Sequence, residues 1–262
     1  MKLSLITATH RRSHLLETRA LPSILNQSDS EFEWIVINDG RDAKTRELIQ
    51  PFTTVIYREI DHSETGFGLC IARNLGLSVA TGEIVAYLDD DNAIAPQFVA
   101  EIKAFFQQSS QIRCCMVQQE RRRNIVQNGE LIKQGKSFIS PDANSTVSDF
   151  IQHKALFDSN GFAHLRENAP SWNPDYRVFA DYEYFLQCLD RWKQFCIFPS
   201  VLVDYVQTSE GVIGRSTYEE WATELSNLLQ HKGLMDVDRQ ILNQFIEKWQ
   251  NKSTQSISAF NH

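Results

Sequence analysis

Three adjacent carboxylates, Asp89, Asp90 and Asp91, directly follow an apolar run that ends at Leu88. Adjacent carboxylates repel one another unless water or a cation surrounds them, and the end of a buried strand offers little water. In an extended chain, Asp89 and Asp91 can point to the same side. Two oxygen ligands on one side suit a hard divalent cation such as Mg²⁺ or Mn²⁺. The alternative is a solvated turn in which Asp91 or Asn92 caps a helix.

Two single carboxylates lie at the ends of predicted elements. Asp39, in the segment Asn38-Asp39-Gly40, can accept hydrogen bonds from a nucleobase N–H or from ribose hydroxyls. Its alternative is an Asx-turn that leaves the strand. Asp181 stands at the start of a predicted helix, where a lone aspartate usually caps the helix or interacts with its dipole.

Arg73 follows a segment with two glycines, Gly66 and Gly68, which allow close approach of the backbone. Its guanidinium could bind a phosphate or hold a carboxylate. The segment is not GxGxxG and contains no Walker lysine, so it predicts neither a dinucleotide-binding site nor a P-loop.

The elements around these residues alternate between strand and helix four times in the first half of the chain. This alternation predicts a mainly parallel sheet with helices on both faces. Because ligands bind beyond the carboxyl ends of such strands, Asp39 and Asp89 should share one sheet edge and one cleft. We expect the first helix to kink or break at Pro22. The predicted strands are 3–9, 33–38, 54–60 and 83–88. The first predicted helix follows Thr9 or Ser13 and extends to about residue 27, and the next three span 42–50, 69–80 and 96–108.

The second half predicts shorter and less regular elements. Asn128-Gly129 between two β-prone runs indicates a hairpin. We expect a strand over 112–121, a loop-rich stretch over 158–174 and two short strands, 195–198 and 201–206, around Pro199. Helices are predicted over 180–192, 218–231 and 236–249, and the polar tail 251–262 is expected to be loose.

Composition narrows the class of protein. The net charge of −7 argues against general attraction to nucleic acid. Five cysteines without CxxC spacing predict reduced thiols and a cytoplasmic location. No apolar run approaches the roughly 18 residues of a membrane-spanning helix, so any membrane contact is expected to be peripheral.

The order of the motifs resembles that of family 2 glycosyltransferases with the GT-A fold, from Leu3 to about Ser216. LITATHRR resembles the opening strand of that family, and VINDG resembles its V-D-D-G segment. The most specific stretch, GFGLCIARNLGLSVATGEIVAYLDDDN, resembles the G-x-x-x-A-R-N-x-G block followed by a strand and the DXD motif. Two features depart from the pattern. Ala180 stands where an acid usually precedes the catalytic aspartate, and no histidine occurs around Gln207 as a further metal ligand.

The resemblance implies an α/β GT-A fold, which is Rossmann-like, with a mostly parallel central sheet, helices on both faces and C-terminal helices. It implies metal-dependent, inverting transfer of a sugar from a nucleoside diphosphate sugar, with a UDP-sugar as the default. The acceptor would be a glycan such as a growing polysaccharide, a lipid-linked glycan or a small molecule. Residues 1–110 would bind the donor, 111–215 would supply the acceptor site and the base, and 216–262 would form a helical extension.

The resemblance also assigns the site residues. Asp181 would be the catalytic base, and Asp91 and Asp89 would hold Mn²⁺ or Mg²⁺. The acceptor pocket would include His153, Asn173 and Trp172, which is either a sugar-stacking residue or a buried core tryptophan. The donor-binding residues would be Thr7, Ala8, Thr9, Arg11, Asp39, Gly66, Arg73, Asp89 and Asp90.

Two alternatives stay open. The substitution by Ala180 is compatible with a GT-A-like domain that binds a nucleotide or glycan without turnover. A sugar-nucleotidyltransferase also uses an α/β sheet and acidic metal sites, but THRRSHLL lacks the glycine-rich, basic signature expected after its first strand.

Overall fold

The structure is a computed structural model that describes residues 1–61, 67–232 and 234–260, with side chains through residue 253. Its strands are β1 (Leu3–Thr9), β2 (Phe32–Asp39), β3 (Ile56–Ile60), β4 (Ile84–Tyr87), β5 (Ala93–Ile94), β6 (Cys114–Gln127), β7 (Glu130–Lys133), β8 (Phe138–Ser140), β9 (Phe162–Leu165) and β10 (Cys196–Thr208). Its α-helices are α1 (Ser13–Leu15), α2 (Leu21–Leu25), α3 (Ala43–Ile49), α4 (Gly68–Val79), α5 (Phe98–Gln107), α6 (Val147–Ile151), α7 (Ala180–Trp192), α8 (Val212–Arg215), α9 (Tyr218–Leu228) and α10 (Asp236–Phe260).

Across the described ranges, the strands form one curled sheet in the order β3-β2-β1-β4-β9-β6-β10-β5, and β7 and β8 pair with β6. Strands β1 to β4 are mutually parallel, as are β6 and β10. Strand β9 lies antiparallel between β4 and β6. Most strands therefore point the same way, and the predicted mixed α/β fold with C-terminal helices is confirmed.

Both faces of the central strands are buried, which explains their continuous apolar sequence. All seven residues of β1 are buried. On one face, Leu3 and Leu5 pack against α2, α3 and α5. On the other face, Ile6 and Ala8 belong to a cluster that includes residues of α4 and α7. The sheet edge that carries the carboxyl ends of β1, β2 and β4 is thereby fixed from both sides.

The helical stretch after β1 is interrupted by a π-helix, Leu16–Ala20, which joins α1 to α2. The N–H of Leu21 reaches back to the carbonyl of Leu16. Pro22, in the first turn of α2, has no N–H to continue an α-helical ladder. The break that the sequence predicts at Pro22 therefore takes the form of the π-helix, which ends two residues before the proline.

The stretch predicted to be loop-rich contains one short strand, β9, which completes the sheet between two distant strands. Two other local predictions for the second half were wrong. The two strands expected around Pro199 are one strand, β10, with register shifts between Phe198 and Val203. The tail expected to be loose continues α10 as far as Phe260. The predicted hairpin at Asn128-Gly129 is confirmed, because it joins β6 to β7 with φ values of 53° and 80°.

A third apolar cluster joins the C-terminal helices to α7. Leu225 of α9 and Leu242 of α10 pack with Tyr182 and Leu186 of α7. The helix that begins with Asp181 is thus covered by the last part of the chain. Among the described helices, none combines the length and the apolar character needed to cross a membrane.

Candidate active site

Asp89, Asp91 and Asp181 line one cleft of about 140 Å³. Asp89 and Asp91 follow the carboxyl end of β4, and Asp181 lies in the first turn of α7. The remaining wall comes from five segments: Arg12; Phe67 and Leu69; Asn92; Arg177, Val178 and Ala180; and Tyr205–Thr208 with Gly211–Ile213. The structure therefore brings together the acids that the sequence placed about 90 residues apart.

Arg73 joins the two sides of this cleft. Its Nη2 donates to Asp89 Oδ1 at 2.7 Å and its Nη1 donates to Asp181 Oδ1 at 2.6 Å. The arginine is 1% exposed, and its guanidinium lies 4.4 Å from the ring centre of Trp172. Burial alone would raise the pKa of Asp89, but the charge of Arg73 and hydrogen bonds from Asn160 and Arg73 lower it below its ordinary value. Arg73 is therefore a fixed spacer between two carboxylates, and its predicted contact with the donor is not supported.

Asp90 points away from the cleft. It is fully buried, and it accepts a hydrogen bond from Thr9 Oγ1 at 2.7 Å and pairs with Arg12 at 2.5 Å. Burial raises the pKa of Asp90 to about 7, against the lowering effect of Arg12. Its predicted contact with the donor is not supported, because no part of the residue is exposed. Instead, Asp90 orients Arg12, which does line the cleft.

Asp91 faces the cleft with a side chain that is 23% exposed. Its Oδ2 accepts from Arg12 Nη1 at 3.0 Å, and its Oδ1 accepts from Asn92 Nδ2 at 3.1 Å. Asn92 also accepts from the backbone N–H of Val206 at 2.8 Å, which ties this loop to β10. Burial raises the pKa of Asp91 above its ordinary value, although Arg12 opposes the shift.

Asn160 holds Asp89 through two hydrogen bonds. Its Oδ1 accepts from the backbone N–H of Asp89 at 2.7 Å, and its Nδ2 donates to Asp89 Oδ2 at 2.9 Å. Gly161 follows with φ +79°, where an added Cβ would lie 2.6 Å from Val117. A glycine is therefore required for the turn that aims Asn160 at the site.

A buried polar network extends from Asn160 to the far wall of the cleft. The N–H of Asn160 donates to Asp158 at 2.8 Å, and Asp158 pairs with Arg121. The guanidinium of Arg121 lies 3.8 Å from the ring centre of Tyr205, which lines the cleft. Sequence reasoning missed this network. Two features of the sequence could have indicated the network: the polar segment Asp158–Asn160 before a glycine, and the run of arginines that begins at Arg121.

The start of α7 is held by a carboxylate from α9. Glu224 accepts the backbone N–H groups of Arg177, Val178 and Phe179 at 3.1, 2.8 and 2.9 Å. Phe179 is the N-cap of α7, so Glu224 binds the backbone immediately before the helix and not the N–H groups of its first turn. Arg177 also pairs with Glu220 of α9 at 2.9 Å. The C-terminal helices therefore fix the backbone that leads into Asp181.

The residues predicted to bind the donor at the ends of β1 and β2 are mostly covered. Thr7 is fully buried and accepts from Trp34 Nε1 at 3.0 Å, so its predicted contact with the donor is not supported. Ala8, Thr9 and Asp39 are 7%, 2% and 3% exposed, and lie at the predicted sheet edge. Beside Asp39, Gly40 adopts φ +83° and leaves room for the His10 ring, which an added Cβ would approach to 2.9 Å.

Arg11 lies on a different surface. It lines a separate hollow of about 770 Å³ together with Gly40, Arg41 and residues of α3. This hollow shares no lining residue with the cleft of the three acids. Gly66, another predicted donor contact, lies outside the described residues.

The structure does not support the three predicted acceptor contacts. Trp172 is 1% exposed, with Tyr184 stacked on its ring at 3.9 Å and Arg73 over it, so no sugar can stack there. His153 is largely buried and packs on Tyr182 at 5.1 Å, away from the residues that line the cleft. Asn173 is also absent from the cleft wall and accepts from the N–H of Asp175. Apolar packing, not ligand binding, accounts for Trp172 and His153.

Comparison with known families decides the relationship. The family model described as glycosyl transferase family 2 matches residues 4–169, which is more than half of the chain. The chain belongs to glycosyl transferase family 2. The resemblance seen in the motifs is therefore confirmed, and the matched region contains Asp39, Arg73 and all three adjacent acids.

Curated relatives of this family 2 chain are similar over only part of their length. An uncharacterised glycosyltransferase of Nostoc sp. is 33% identical over 112 residues, 42% of this chain and 34% of that protein. The chondroitin synthase of Escherichia coli is 32% identical over 99 residues, 37% of this chain and 14% of that protein. The aligned segment thus spans about a third or less of these relatives.

Solved structures share the fold. TarS of S. aureus, residues 1–349 in complex with UDP-GlcNAc, matches with a TM-score of 0.65 and 17% identity, over 94% of this chain and 72% of that one. A mannosyltransferase from Pyrobaculum calidifontis, in complex with GDP-Man and Mn²⁺, matches with a TM-score of 0.56 and 16% identity, over 92% and 68% of the two chains. At this identity the likeness shows the fold alone.

The family 2 site offers oxygen ligands of the kind that a divalent cation prefers. Asp91 faces the cleft, as does Gln207, and both offer oxygen ligands. Both oxygens of Asp89 are engaged, by Arg73 and Asn160, and both oxygens of Asp91 are engaged as well, by Arg12 and Asn92, so either carboxylate would exchange one of these partners for a metal. Within the described ranges, no group of three or more His, Cys, Asp or Glu residues could hold a metal. A cation here would take its other ligands from phosphate oxygens and water, as Mg²⁺ commonly does.

Proposed function

We propose that this protein is an inverting glycosyltransferase that transfers a sugar from a nucleoside diphosphate sugar to an acceptor hydroxyl. The observation that carries the proposal is that Asp91 and Asp181 line the same cleft while Arg73 fixes Asp181 relative to Asp89. A UDP-sugar is the first donor to test, because TarS, a structure with the same fold, was solved with UDP-GlcNAc. Family membership favours sugar transfer over nucleotidyl transfer.

On the donor side, the nucleoside would lie along the carboxyl ends of β1 and β2, near Ala8, Thr9 and Asp39. Its diphosphate would lie beside Arg12 and Asp91. Arg12 is held by Asp90 and so presents a fixed positive charge to the leaving group. Mn²⁺ or Mg²⁺, held by Asp91, would supply further positive charge to the departing diphosphate.

On the acceptor side, Asp181 would remove the proton from the attacking hydroxyl. Its Oδ1 is occupied by Arg73, which orients the carboxylate and leaves its other oxygen available to an acceptor. Attack from this side, opposite the diphosphate, displaces the leaving group directly and inverts the anomeric configuration. The neighbouring acid Glu183 is buried and bonds to Gln187, so it does not compete for this role.

We also propose which residues contact the acceptor and in which cellular compartment the protein works. Arg177, Tyr205 and the segment 211–213 line the cleft together with Asp181, and we propose them as acceptor contacts in place of those predicted from the sequence. Each of the five cysteines carries a free thiol and four are buried, which supports a reducing, cytoplasmic setting.

A binding experiment tests the donor side. UDP, GDP and dTDP are titrated with and without Mn²⁺ while thermal unfolding is followed, since a ligand selective for the folded state raises its stability. We expect UDP with Mn²⁺ to stabilise the wild type most, and Asp91→Ala to lose the part that depends on Mn²⁺. The matched control is Asp142→Asn, which removes a charge from an exposed carboxylate outside the cleft. Equal stabilisation of Asp91→Ala and the wild type would contradict the proposal.

A further inference from the structure

Exposed apolar side chains concentrate in one segment, the β6–β7 hairpin and β8. Eleven large hydrophobic residues are exposed on the described part of the chain, and five of them fall between positions 125 and 139. We name this segment, together with the bases around it, the hairpin surface. The five are Ile125 (50% exposed), Leu131 (56%), Ile132 (58%), Phe138 (41%) and Ile139 (55%). Single exposed apolar residues are common on soluble proteins, whereas a cluster of them is typical of a surface that binds a protein or a membrane.

Positive charges surround these apolar side chains. Arg123, Lys133, Lys136 and Lys154 are exposed. Arg123, Lys136 and Lys154 also line a hollow of about 460 Å³ whose floor includes Phe138, Ile139 and Leu156. Of the five basic residues in the segment 121–136, Arg121 and Arg122 are paired with Asp158 and Asp204, which leaves three bases against one acid, Glu130, on a chain that carries −7 as a whole. The hairpin surface is therefore an apolar and basic region on an acidic protein.

The hairpin surface begins beside the cleft. In the pairing of β6 with β10, Arg123 lies opposite Gln207 and Asn124 lies opposite Thr208, and both partners line the cleft. The hairpin is also tied to the segment that follows β10. Glu210 accepts the N–H groups of Asn128 and Gly129 at 2.7 and 3.2 Å. A large partner on the hairpin surface would therefore lie next to the entrance used by the acceptor.

We propose that the hairpin surface docks on an anionic phospholipid bilayer. Exposed leucine and isoleucine side chains enter the boundary between headgroups and acyl chains, while the surrounding lysines and Arg123 contact phosphate groups. The charge distribution favours this partner over a second copy of the chain, because two hairpin surfaces facing each other would bring like charges together. It also sets the orientation, because the acidic remainder of the protein is repelled by the same membrane.

This docking bears on the acceptor, and that step rests on the proposed function. A protein held by its hairpin surface presents the wall formed by Thr208 and 211–213 close to the bilayer. The acceptor hydroxyl would then belong to a molecule carried by the membrane, such as a lipid-linked glycan.

Vesicle sedimentation tests the docking without donor or metal. The full chain is mixed with vesicles of phosphatidylcholine alone or with phosphatidylglycerol added. We expect binding to the anionic vesicles only, weakened at high salt because the charges are screened. Lys133→Glu with Lys136→Glu should lower the partition coefficient by at least about 25-fold, on the basis of about fivefold for each base. Leu131→Ser with Ile132→Ser should lower it about tenfold for each side chain that inserts, and because neighbouring residues of β7 point to opposite faces, the two single variants show which face enters the bilayer.

Matched controls change the same residue types elsewhere. Leu25→Ser alters a leucine that is 60% exposed on α2, and Lys248→Glu alters an exposed lysine on α10. Both should bind anionic vesicles as the wild type does. Absence of vesicle binding, or equal loss in the controls, would overturn the proposal. So would a dimer in sedimentation velocity that the hairpin variants dissociate, since that would identify a second copy as the partner. Nucleotide binding is measured in parallel, so failure of the donor site is seen separately.

Discussion

The two sides of the cleft are built differently. On the donor side, Asp90 and Asp91 follow the end of β4 and are held by Arg12, which comes directly after β1, the strand paired with β4. On the base side, Asp181 sits on a helix whose start is held by Glu224, 43 positions later in the chain. Parallel strand ends place the first group, whereas contacts between distant segments place the second. The sheet therefore places most of the donor side, whereas the base side also depends on contacts from the C-terminal helices.

Arg73 is the element shared by both sides. It is buried, and it contacts one carboxylate from each. Changes on one side should leave the other intact, and only a change at Arg73 should disturb both.

The largest effect is expected for Asp181→Asn. The amide oxygen can still accept from Arg73, so the fold and the donor side should persist while proton removal is lost. General-base catalysis commonly contributes about 10²- to 10⁴-fold, and the transfer rate should fall by that amount. Release of UDP in the presence of an acceptor measures the rate, and calorimetric titration with UDP and Mn²⁺ measures the donor side. Full transfer activity would exclude Asp181 as the base, whereas weaker nucleotide binding would show that the two sides are not separable.

The difference between the two sides also explains what the sequence could predict. Asp89 to Asp91 stand beside an unmistakable buried strand, so their place at a sheet edge follows from local pattern. Asn160 and Asp158 occur in a stretch without periodicity, and only the insertion of β9 between β4 and β6 brings them to Asp89. The hydrogen bonds of Glu224 could not be predicted either, because a glutamate on a solvated helix face and a glutamate that binds a distant backbone segment look alike in the sequence. The sequence left Trp172 open between a stacking aromatic and a core aromatic, which look alike until burial is known.

Arg73→Gln should break both sides together. Removing one partner from a buried ion pair commonly costs about 3 to 5 kcal/mol of unfolding free energy, because the remaining charges lose their compensation. Asp89 and Asp181 would both be left without a cation, so nucleotide binding and the transfer rate should both decline. Urea denaturation measures the stability. Arg46→Gln is the control, since it removes an arginine from an exposed pair with Glu59 and should change stability little. Similar losses in the two variants would show that Arg73 has no special structural role.

Acid should lower the free energy of unfolding through His153, which packs on Tyr182 next to Asp181. Burial lowers the pKa of His153 to about 4, below the value near 6.5 expected in an unfolded chain. The unfolded state therefore binds a proton first, and stability is lost as the pH falls below about 6.5. By pH 5 the loss from this residue is about 2 kcal/mol.

The residue can be tested by its pH dependence. His153→Asn is chosen because asparagine tolerates the positive φ of 56° at this position and does not titrate. Its absolute stability will be lower, but the decline in unfolding free energy between pH 7.5 and pH 5 should be less steep than that of the wild type. Equal pH slopes in urea denaturation would contradict the prediction.

The smallest effect is expected for Glu224→Ala. This variant tests whether the C-terminal helices position Asp181 through the hydrogen bonds of Glu224 or only through apolar packing. Losing the acceptor of these three backbone N–H groups should cost about 0.5 to 1.5 kcal/mol, the usual net contribution of an intramolecular hydrogen bond. Hydrogen exchange of the amides of Arg177, Val178 and Phe179 should accelerate, while UDP binding stays unchanged. The transfer rate should decrease at unchanged donor affinity, because the backbone before Asp181 is less well fixed. Glu219→Ala on the same helix is the exposed control. If the two variants had the same rate and exchange, Asp181 would be positioned by the sheet and α7 alone, and the contrast between the two sides would disappear.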